Sequence, residues 1–550
     1  MTNRQALWAV IATSTLLRVA WGASLGPDTN EAYHYLYAQH PNWSYFDHPP
    51  MVALIAGLGL KLAGGASLVL GLRAGFIVLF AGSSWLLARL TSRFYGPRAG
   101  VLAALALNVA GYFGLVVGTF AEPDGPLLFF WILTLDRLAV ALATPERLST
   151  WLGVGLAWGA ALLSKYHAVL LPVGAGLYLI RWPAARRCLR TPGPYLALVV
   201  GSILFAPVIG WNATHGWVSF LFQGWRAVAS DSTRFRPDRL AEAVLAQAIY
   251  LFPWIWVSLV GILVRLIRRG SRHWTEAEAF LACQAVPALA LFMGVATLRH
   301  IMPHWPLIGF VSLLPMLGQG WSDRLADRPE RQWLRLAATA VVPVVVAGLV
   351  SAHARLGLFQ ASQGRPLGLV APGSDPTLDP ILWDQVARKL EGRRLLNASG
   401  TFLFTDDWRH SAQLGFATHG KVPVACYERD SRSFTFWSRP EDWVGRDGIF
   451  VGTNEGPDTV ESYARFFTRI EPLGAFDVVR AGAPVRTFRL FRCVRQTRAY
   501  PFGYDSHPGT QPALHHLTTS PSSSGRTEET ARSGQDSLVH RRVEVEQTTR

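Results

Sequence analysis

Residues 6–50, ALWAVIATSTLLRVAWGASLGPDTNEAYHYLYAQHPNWSYFDHPP, join an apolar run to a polar and aromatic segment. The run at 6–25 has the length of a membrane-spanning helix, which needs about 20 apolar residues. It is too long for the apolar core of a signal peptide, so we interpret it as a retained helix. The segment 27–50 that follows contains three carboxylates and three histidines but no Lys or Arg. The apolar run and the polar segment together predict a membrane span followed by a functional loop at one face of the bilayer.

The composition of the whole chain agrees with a membrane protein. Half of the 550 residues are hydrophobic and 16% are charged, whereas soluble domains carry about 25% charged residues. The net charge of +15 comes from arginines in short loops between apolar runs, which is an orientation signal and argues against a nucleic-acid partner. Four cysteines are too few for a metal framework or a disulfide scaffold, although Cys426 and Cys493 could pair with each other.

Apolar runs continue through the first two thirds of the chain and predict roughly eleven transmembrane helices. A soluble fold would need an enormous core to bury them. The predicted spans lie near residues 6–25, 68–90, 99–118, 126–143, 150–164, 167–182, 195–211, 243–266, 278–297, 305–320 and 334–352.

The loops between these runs alternate in charge. Since Lys and Arg are retained on the cytoplasmic side, the arginine-rich loops are expected to face inward and the loop 26–50 outward. One loop breaks the pattern, because residues 212–240 carry several arginines yet face outward by strict alternation. Such a loop calls for an anionic partner. Its arginines are Arg226, Arg234, Arg236 and Arg239.

The predicted fold is an α-helical polytopic membrane protein with a small extracytoplasmic α/β domain. Residues 1–353 form the membrane domain, including a first outer loop at 26–67. In residues 354–500 a helical pattern gives way to strand-like runs such as TFLFT and GIFVGT, which indicates the α/β domain. Residues 501–550 are rich in Ser, Thr, Gly and charge and are expected to be disordered.

Ionisable residues near the membrane boundary collect on the predicted outer side. A charge inside a bilayer costs roughly 2.5–3.5 kcal/mol, so such residues are rarely idle. Any one of them alone is explained by a side chain reaching to interfacial water, but their concentration on one face favours a shared polar cavity. The residues concerned are Asp28, Glu31, Asp47, His48, Glu122, Asp124, Lys165, His167, Arg299, His300 and His304.

Two interpretations of Asp28 and Glu31 remain open. Asp28 is able to cap a short helix whose first turn contains Glu31, a purely structural capping box. Alternatively, one of the two carboxylates faces the cavity and acts as a general base on an attacking hydroxyl. The rings that follow, including Tyr33 and Tyr35, would then bind a lipid or a sugar by apolar contact and stacking.

Two further pairs suit an anionic substrate. Asp47 and His48 precede two prolines and are able to ligate a divalent metal or hold a phosphate, but two residues specify neither. Lys165 lies at an outer helix end, where it would neutralise a phosphate or simply reach to water. No other cofactor is indicated by these residues.

Several of these segments resemble the GT-C superfamily of membrane glycosyltransferases, in particular the bacterial members of the protein O-mannosyltransferase and lipid A aminoarabinose transferase group. The resemblance rests on four segments and spans roughly residues 5–350. They are NEAYHYLYAQHPNWSYFDHPPMVALI, EPDGPLLFFW, LLSKYHAVLL and PHWP.

The resemblance implies an enzyme of the bacterial inner membrane. It would move a monosaccharide from a polyprenyl-phosphate carrier to a hydroxyl of a lipid, protein or glycan acceptor on the outer side, with inversion. The family's acidic pair falls on Asn30 and Glu31, so the usual aspartate is absent, and either Glu31 or Asp28 takes its role. Family kinship places carrier phosphate or metal contacts at the Asp47–His48 region.

The remaining matched positions are also expected to bind substrate. They are Asp124 in the second outer segment, Lys165 and Tyr166 of SKY, and His304 of PHWP. Two other functions stay open from the sequence. A non-catalytic protein that binds a lipid-linked sugar would fit the loss of the aspartate at Asn30. A transporter would also carry intramembrane charges, but it usually shows repeated halves, which we do not find.

Overall fold

The structure is a computed structural model, and it describes residues 1–228, 235–361, 368–371, 375–396, 400–453 and 459–502. The expected disorder of the C-terminal tail falls almost entirely on residues 503–550, which lie outside the described residues.

Helices dominate the first 356 residues. Among the described residues, six helices are long and apolar enough to span a membrane. They are α1 (Asn3–Ser24), α4 (Leu68–Tyr95), α6 (Asp124–Ala143), α9 (Gly193–Thr214), α13 (Glu276–Ala296) and α16 (Pro329–Leu356). Shorter apolar helices pack among them: α3 (Met51–Ala63), α5 (Pro97–Val109) and α7 (Leu148–Ser164). The other helices of this part are α2 (Thr29–Gln39), α8 (Leu170–Arg181), α10 (Val218–Val228), α11 (Pro237–Leu251), α12 (Pro253–Arg269), α14 (Leu307–Val311) and α15 (Leu314–Asp327).

Two predicted spans are broken. The run predicted at 243–266 forms α11 and α12, which bend by 117° at the break. Pro253 cannot donate a backbone hydrogen bond, and Phe252 before it has φ of +65°, so the helix cannot continue through this point. The run predicted at 305–320 is likewise divided into α14 and α15.

The segment 26–67, predicted as the first outer loop, contains two helices, α2 and α3. A π-helix at Tyr112–Val117 follows α5 and leads into the second outer segment, just before α6. Single turns of π-helix often occur at functional sites. These two segments lie at the same end of the bundle, because residues of α2 contact residues 121 and 122 directly.

Arginines at the opposite end of the bundle share a buried carboxylate. Arg89, Arg93 and Arg137 contact Asp136, whose side chain has no exposed surface.

In the basic loop 212–240, Arg236 pairs with Asp238 at 2.8 Å and Arg239 pairs with Glu242 at 3.1 Å. These two arginines therefore find their anionic partners within the chain. Arg234 and the side chain of Arg226 lie outside the described residues.

The C-terminal domain is an α/β unit, as predicted. Its described part holds a five-stranded sheet in the order β2-β1-β3-β5-β4. β1 is parallel to β2 and β3, and β5 is antiparallel to β3 and β4. The strands are β1 (Thr401–Thr405), β2 (Val424–Cys426), β3 (Asp447–Thr453), β4 (Phe467–Arg480) and β5 (Ala483–Gln496). The helices are α17 (Asp379–Gly392), α18 (Trp408–Ala417) and α19 (Phe434–Trp437).

The expected pairing of Cys426 with Cys493 is wrong, since both thiols are free. Cys426 lies on β2 and Cys493 on β5, with β1 and β3 between them. Three strand spacings of about 4.8 Å separate the two residues, whereas a disulfide needs Cα atoms within about 7 Å.

Candidate active site at one end of the helix bundle

The site begins at α2, and its start follows from the sequence. The Asp28 carboxylate accepts a hydrogen bond from the Glu31 amide at 2.8 Å, and the Glu31 carboxylate accepts one from the Asp28 amide at 3.3 Å. This is a complete capping box, in which two amides that the helix leaves unpaired are bonded reciprocally. The predicted capping box of Asp28 and Glu31 is therefore confirmed.

Both carboxylate oxygens of Glu31 bind other groups of the protein. Its carboxylate forms an ion pair with Arg73 of α4, and neither side chain has exposed surface. The Arg73 Nε donates to Glu31 Oε1 at 2.8 Å, and its terminal nitrogens donate to the carbonyls of Gly22, Leu25 and Gly26 at 2.5–2.8 Å. A carboxylate held in this way has no free lone pair directed at a substrate. Its geometry suits a positioning residue rather than a base.

One turn of α2 is hydrogen-bonded to the second outer segment at a single residue, Ala121. The Ala121 amide donates to Glu31 Oε1 at 2.9 Å, while the Ala121 carbonyl lies 2.6 Å from His34 Nδ1. Glu31 and His34 are three residues apart, so they lie on the same face of the helix. This contact fixes the backbone that carries the next two acids, Glu122 and Asp124.

Asp28 and Glu122 form an acidic pair at the mouth of the site. The Glu122 carboxyl accepts a hydrogen bond from the Asn30 amide at 3.0 Å. Burial and repulsion from Glu31 raise the pKa of Asp28 to about 7. Burial and repulsion from Asp28 raise the pKa of Glu122 well above its usual range. Burial and mutual repulsion therefore oppose the simultaneous ionisation of these two carboxyl groups.

A second cluster adjoins this pair, centred on Asp124 at the start of α6. The Lys165 ammonium donates to the Asp124 carboxylate at 2.7 Å, and both side chains are largely buried. His167 and His304 lie within electrostatic range of this ion pair. The His304 ring also stacks on Tyr112 of the π-helix, with centroids 5.4 Å apart. Residues from separate outer segments thus meet in a region rich in groups that bind phosphate.

Asp47 is bound by the protein itself. Tyr37 donates to one carboxylate oxygen, and Arg432 of the C-terminal domain donates to the other at 3.1 Å. The Arg432 guanidinium in turn stacks on Trp408 at 3.7 Å. His48 lies nearby, with its ring 5.9 Å from that of His34.

This arrangement does not fit the metal expected at Asp47 and His48. A divalent cation would compete with Arg432 for the same carboxylate oxygen. Within the described residues, no group of three or more His, Cys, Asp or Glu side chains could hold a metal ion.

The aromatic residues of α2 do not face a lipid or a sugar. Tyr33 and Tyr35 are 2% and 4% exposed, because the C-terminal domain covers them. Tyr33 packs against Trp408 and Trp437, and Tyr35 packs edge-on against Phe416. Their placement joins the two domains and differs from the expected binding surface. Tyr166 packs edge-on against Phe220 beside the second cluster, with ring centroids 5.5 Å apart.

Sequence analysis missed several residues of the site. Arg73 had a visible signal, because an arginine inside the apolar run 68–90 is costly unless it is paired. Glu122 stood among the outer ionisable residues but not among the site residues. Arg432 gave no signal, because it comes from a domain whose docking cannot be inferred from pattern.

The arrangement suits proton removal beside an anion. Asp28 is a carboxylate whose pKa of about 7 matches the operating pH of a general base. Lys165 supplies positive charge at the neighbouring cluster, where the rings of His167 and His304 also lie. Such a pairing favours attack by a hydroxyl with departure of a phosphate.

Known proteins resemble the chain in sequence. A family model described as dolichyl-phosphate-mannose-protein mannosyltransferase matches residues 47–211. The lipid A galacturonosyltransferase RgtD of Rhizobium johnstonii is 24% identical over 455 residues, which are 79% of this chain and 89% of that protein.

Solved structures share the fold. ArnT from Cupriavidus metallidurans in the apo state superposes with a TM-score of 0.56 at 17% identity, over 88% of this chain and 98% of that one. The same protein bound to undecaprenyl phosphate gives a TM-score of 0.57 at 17% identity, over 88% and 97% of the two chains. The partial family match, the curated relative and the shared fold together support a bacterial membrane glycosyltransferase with the GT-C fold.

Proposed function

We propose that the chain transfers a monosaccharide from a polyprenyl-phosphate-linked donor to a hydroxyl of a lipid acceptor, at the extracytoplasmic face of the inner membrane. The observation that carries this proposal is the meeting of Asp28 and the Lys165–Asp124 pair at one end of the bundle. The polyprenyl donor is supported by the undecaprenyl phosphate bound to ArnT. The lipid acceptor is supported by the activity of RgtD.

In the proposed reaction, Asp28 takes the proton of the acceptor hydroxyl. The resulting oxygen nucleophile attacks the anomeric carbon of the donor and forms the new C–O bond. The bond from the same carbon to the phosphate oxygen breaks, and the lipid phosphate leaves with its electron pair. Lys165 stabilises the charge that develops on this phosphate. One base suffices, because a phosphate leaves without help from an acid, so the transfer inverts the anomeric configuration.

Glu31 acts through other residues in this proposal. Since Arg73 and the Ala121 amide occupy its oxygens, it positions the second outer segment. Asn30 stands where the family has an aspartate. Its amide donates to Glu122 and adds no further negative charge to a region that already holds two carboxyl groups.

A lateral groove offers a place for the donor's lipid chain. A cavity of about 880 Å³ lies between α1, the α5–π-helix region and α16, and its lining is mostly apolar. It runs along α1 from Ala9 to Ser24, a length of about 22 Å at about 1.5 Å per residue. Trp21 in its wall packs against Phe120 with centroids 5.2 Å apart, two residues before Glu122. The groove thus leads along the membrane toward the acidic pair.

The decisive experiment compares Asp28→Asn with the unaltered chain, each full-length and reconstituted in liposomes with a polyprenyl-phosphate sugar and a lipid acceptor. Asparagine also caps helices well, so α2 stays intact. We expect transfer to fall by about 10²–10⁴-fold and donor binding to change by less than about threefold, since Asp28 is assigned no donor contact. Asp238→Asn, at an exposed carboxylate of α11, is the matched control. Full activity of Asp28→Asn would refute the assignment, and donor binding without turnover in the unaltered chain would mark a non-catalytic binder.

The groove has its own test. Ala347→Trp places a ring inside the groove, whereas Val341→Trp adds the same ring on the exposed face of α16. We expect only Ala347→Trp to weaken the use of long-chain donors while sparing short-chain ones. Equal loss for both chain lengths would remove the groove from the proposal.

A further inference from the structure

A second cavity lies far from the candidate active site. It has a volume of about 520 Å³ and is bounded by α12, α15 and α16. Arg335 in its wall is 20 residues before Arg355, whose guanidinium contacts the Ser24 carbonyl at the outer end of α1. At about 1.5 Å per residue, the two arginines are about 30 Å apart along α16. The cavity therefore lies toward the opposite membrane face.

Positive charge in this cavity is not balanced by carboxylates. Arg324 and Arg335 line it, and Arg265 lies within electrostatic range of Arg324. Asp323 partly offsets the charge of Arg324, and its carboxylate accepts a hydrogen bond from the Gln319 amide. No ion pair joins Arg324 or Arg335 to a carboxylate within the described part of the chain. Like charges held this close call for an anion.

Gln332 provides a second, independent observation. Its side chain lines the cavity and is only 4% exposed. Across the described ranges, no residue forms a hydrogen bond with its amide. The amide therefore faces the cavity and is free to donate hydrogen bonds to acceptor oxygens of a ligand.

The rest of the cavity wall suits a lipid rather than a soluble anion. From Arg335 the wall continues along α16 through Leu336, Thr339 and Val342 toward the membrane interior. Trp321 lines the cavity beside the arginines, and tryptophan is typical of the headgroup level of membranes. Basic pockets between transmembrane helices on the cytoplasmic side bind the headgroups of anionic lipids.

We propose that this cavity binds an anionic glycerophospholipid of the cytoplasmic leaflet. Arg324, Arg335 and the Gln332 amide hold the phosphate oxygens, and one acyl chain lies along Leu336 and Thr339. The site is separate from sugar transfer and does not depend on the function proposed above.

The test measures lipid retention by the purified full-length protein with native mass spectrometry, after exchange with vesicles of equal phosphatidylglycerol and phosphatidylcholine content. We expect the unaltered chain to retain phosphatidylglycerol at least tenfold over phosphatidylcholine. Arg324→Gln combined with Arg335→Gln should reduce this preference to less than threefold. Arg331→Gln, at an exposed arginine of α16 outside the cavity, should preserve it.

A further variant tests the lipid site even if the double mutant fails to fold. Thr339→Trp keeps both arginines but fills the path of the acyl chain, and it should also lose the preference. Inorganic phosphate alone should not displace the lipid at a concentration equal to that of the vesicle lipid. Displacement by phosphate would show an ion site instead and overturn the proposal. So would an unchanged preference in the double mutant or in Thr339→Trp, or equal retention of the two lipids by the unaltered chain.

Discussion

Arg73 and Glu31 are 42 residues apart in the chain and form an ion pair in which neither side chain has any exposed surface. The pair joins α4 to the first turn of α2, and Arg73 also binds three carbonyls at the end of α1. One guanidinium therefore fixes the exit of the first span relative to the start of the site.

Removing either partner should destabilise the protein. Arg73→Leu leaves Glu31 as an uncompensated buried charge, which typically costs about 3–5 kcal/mol. We expect a clear fall in the midpoint of thermal unfolding of the purified protein in detergent. Arg89→Leu is the control, because Asp136 keeps its other arginine partners, and it should change the midpoint little. Equal midpoints for Arg73→Leu and the unaltered chain would contradict the structural role of the pair.

The transfer rate should depend on the ionisation of Asp28. Its pKa is raised to about 7, and a base acts in its deprotonated form, so activity should rise with pH and level off above about 7. At pH 5 the rate should be about a hundredfold below the plateau, as expected for one group two pH units below its pKa. The measurement is the initial rate of transfer from pH 5 to 8.5 at saturating donor.

Neighbouring substitutions should move this pH profile in opposite directions. Glu122→Gln removes a carboxyl group that interacts with Asp28 and should shift the rise to lower pH. Asn30→Asp restores the family's aspartate beside Glu122, adds negative charge and should shift the rise to higher pH. A profile that stays the same in both variants would exclude Asp28 as the titrating group.

Lys165 is expected to bind the donor phosphate as well as Asp124. Lys165→Gln should raise the KM for donor about 10–100-fold, which corresponds to about 1.4–2.7 kcal/mol. It should also lower stability, because the buried Asp124 loses its partner. Adding Asp124→Asn should restore stability without restoring the KM. If the double variant recovered both, the lysine would have only a structural role.

Arg432 should couple the C-terminal domain to the site. Arg432→Ala removes its contacts with Asp47 and Trp408, so the domain should dock less firmly on α2. We expect faster limited proteolysis that releases the C-terminal domain, and a transfer rate about tenfold lower, in line with about 1.4 kcal/mol lost. Arg439→Ala, at a side chain that is 81% exposed, should match the unaltered chain in both assays.

Sequence patterns predicted the fold class and named candidate site residues. They did not show which of these side chains contact one another. Charge alternation correctly predicted that the segments with Glu31, Asp124 and Lys165 lie at one end of the bundle, and Lys165 and Asp124 form an ion pair there. Pattern alone could not decide between a cap and a base for Glu31, because that choice depends on Arg73 from another helix. The break at Phe252 was missed for a related reason: the apolar run is continuous, and only Pro253 marks the turn.

The contact of Glu31 and His34 with the two ends of the Ala121 residue has a mechanical consequence. Because its amide and carbonyl are both bonded to one turn of α2, we expect a displacement of that helix to carry residues 120–124 with it. Any rearrangement that admits a substrate therefore displaces Asp28 and Asp124 in concert.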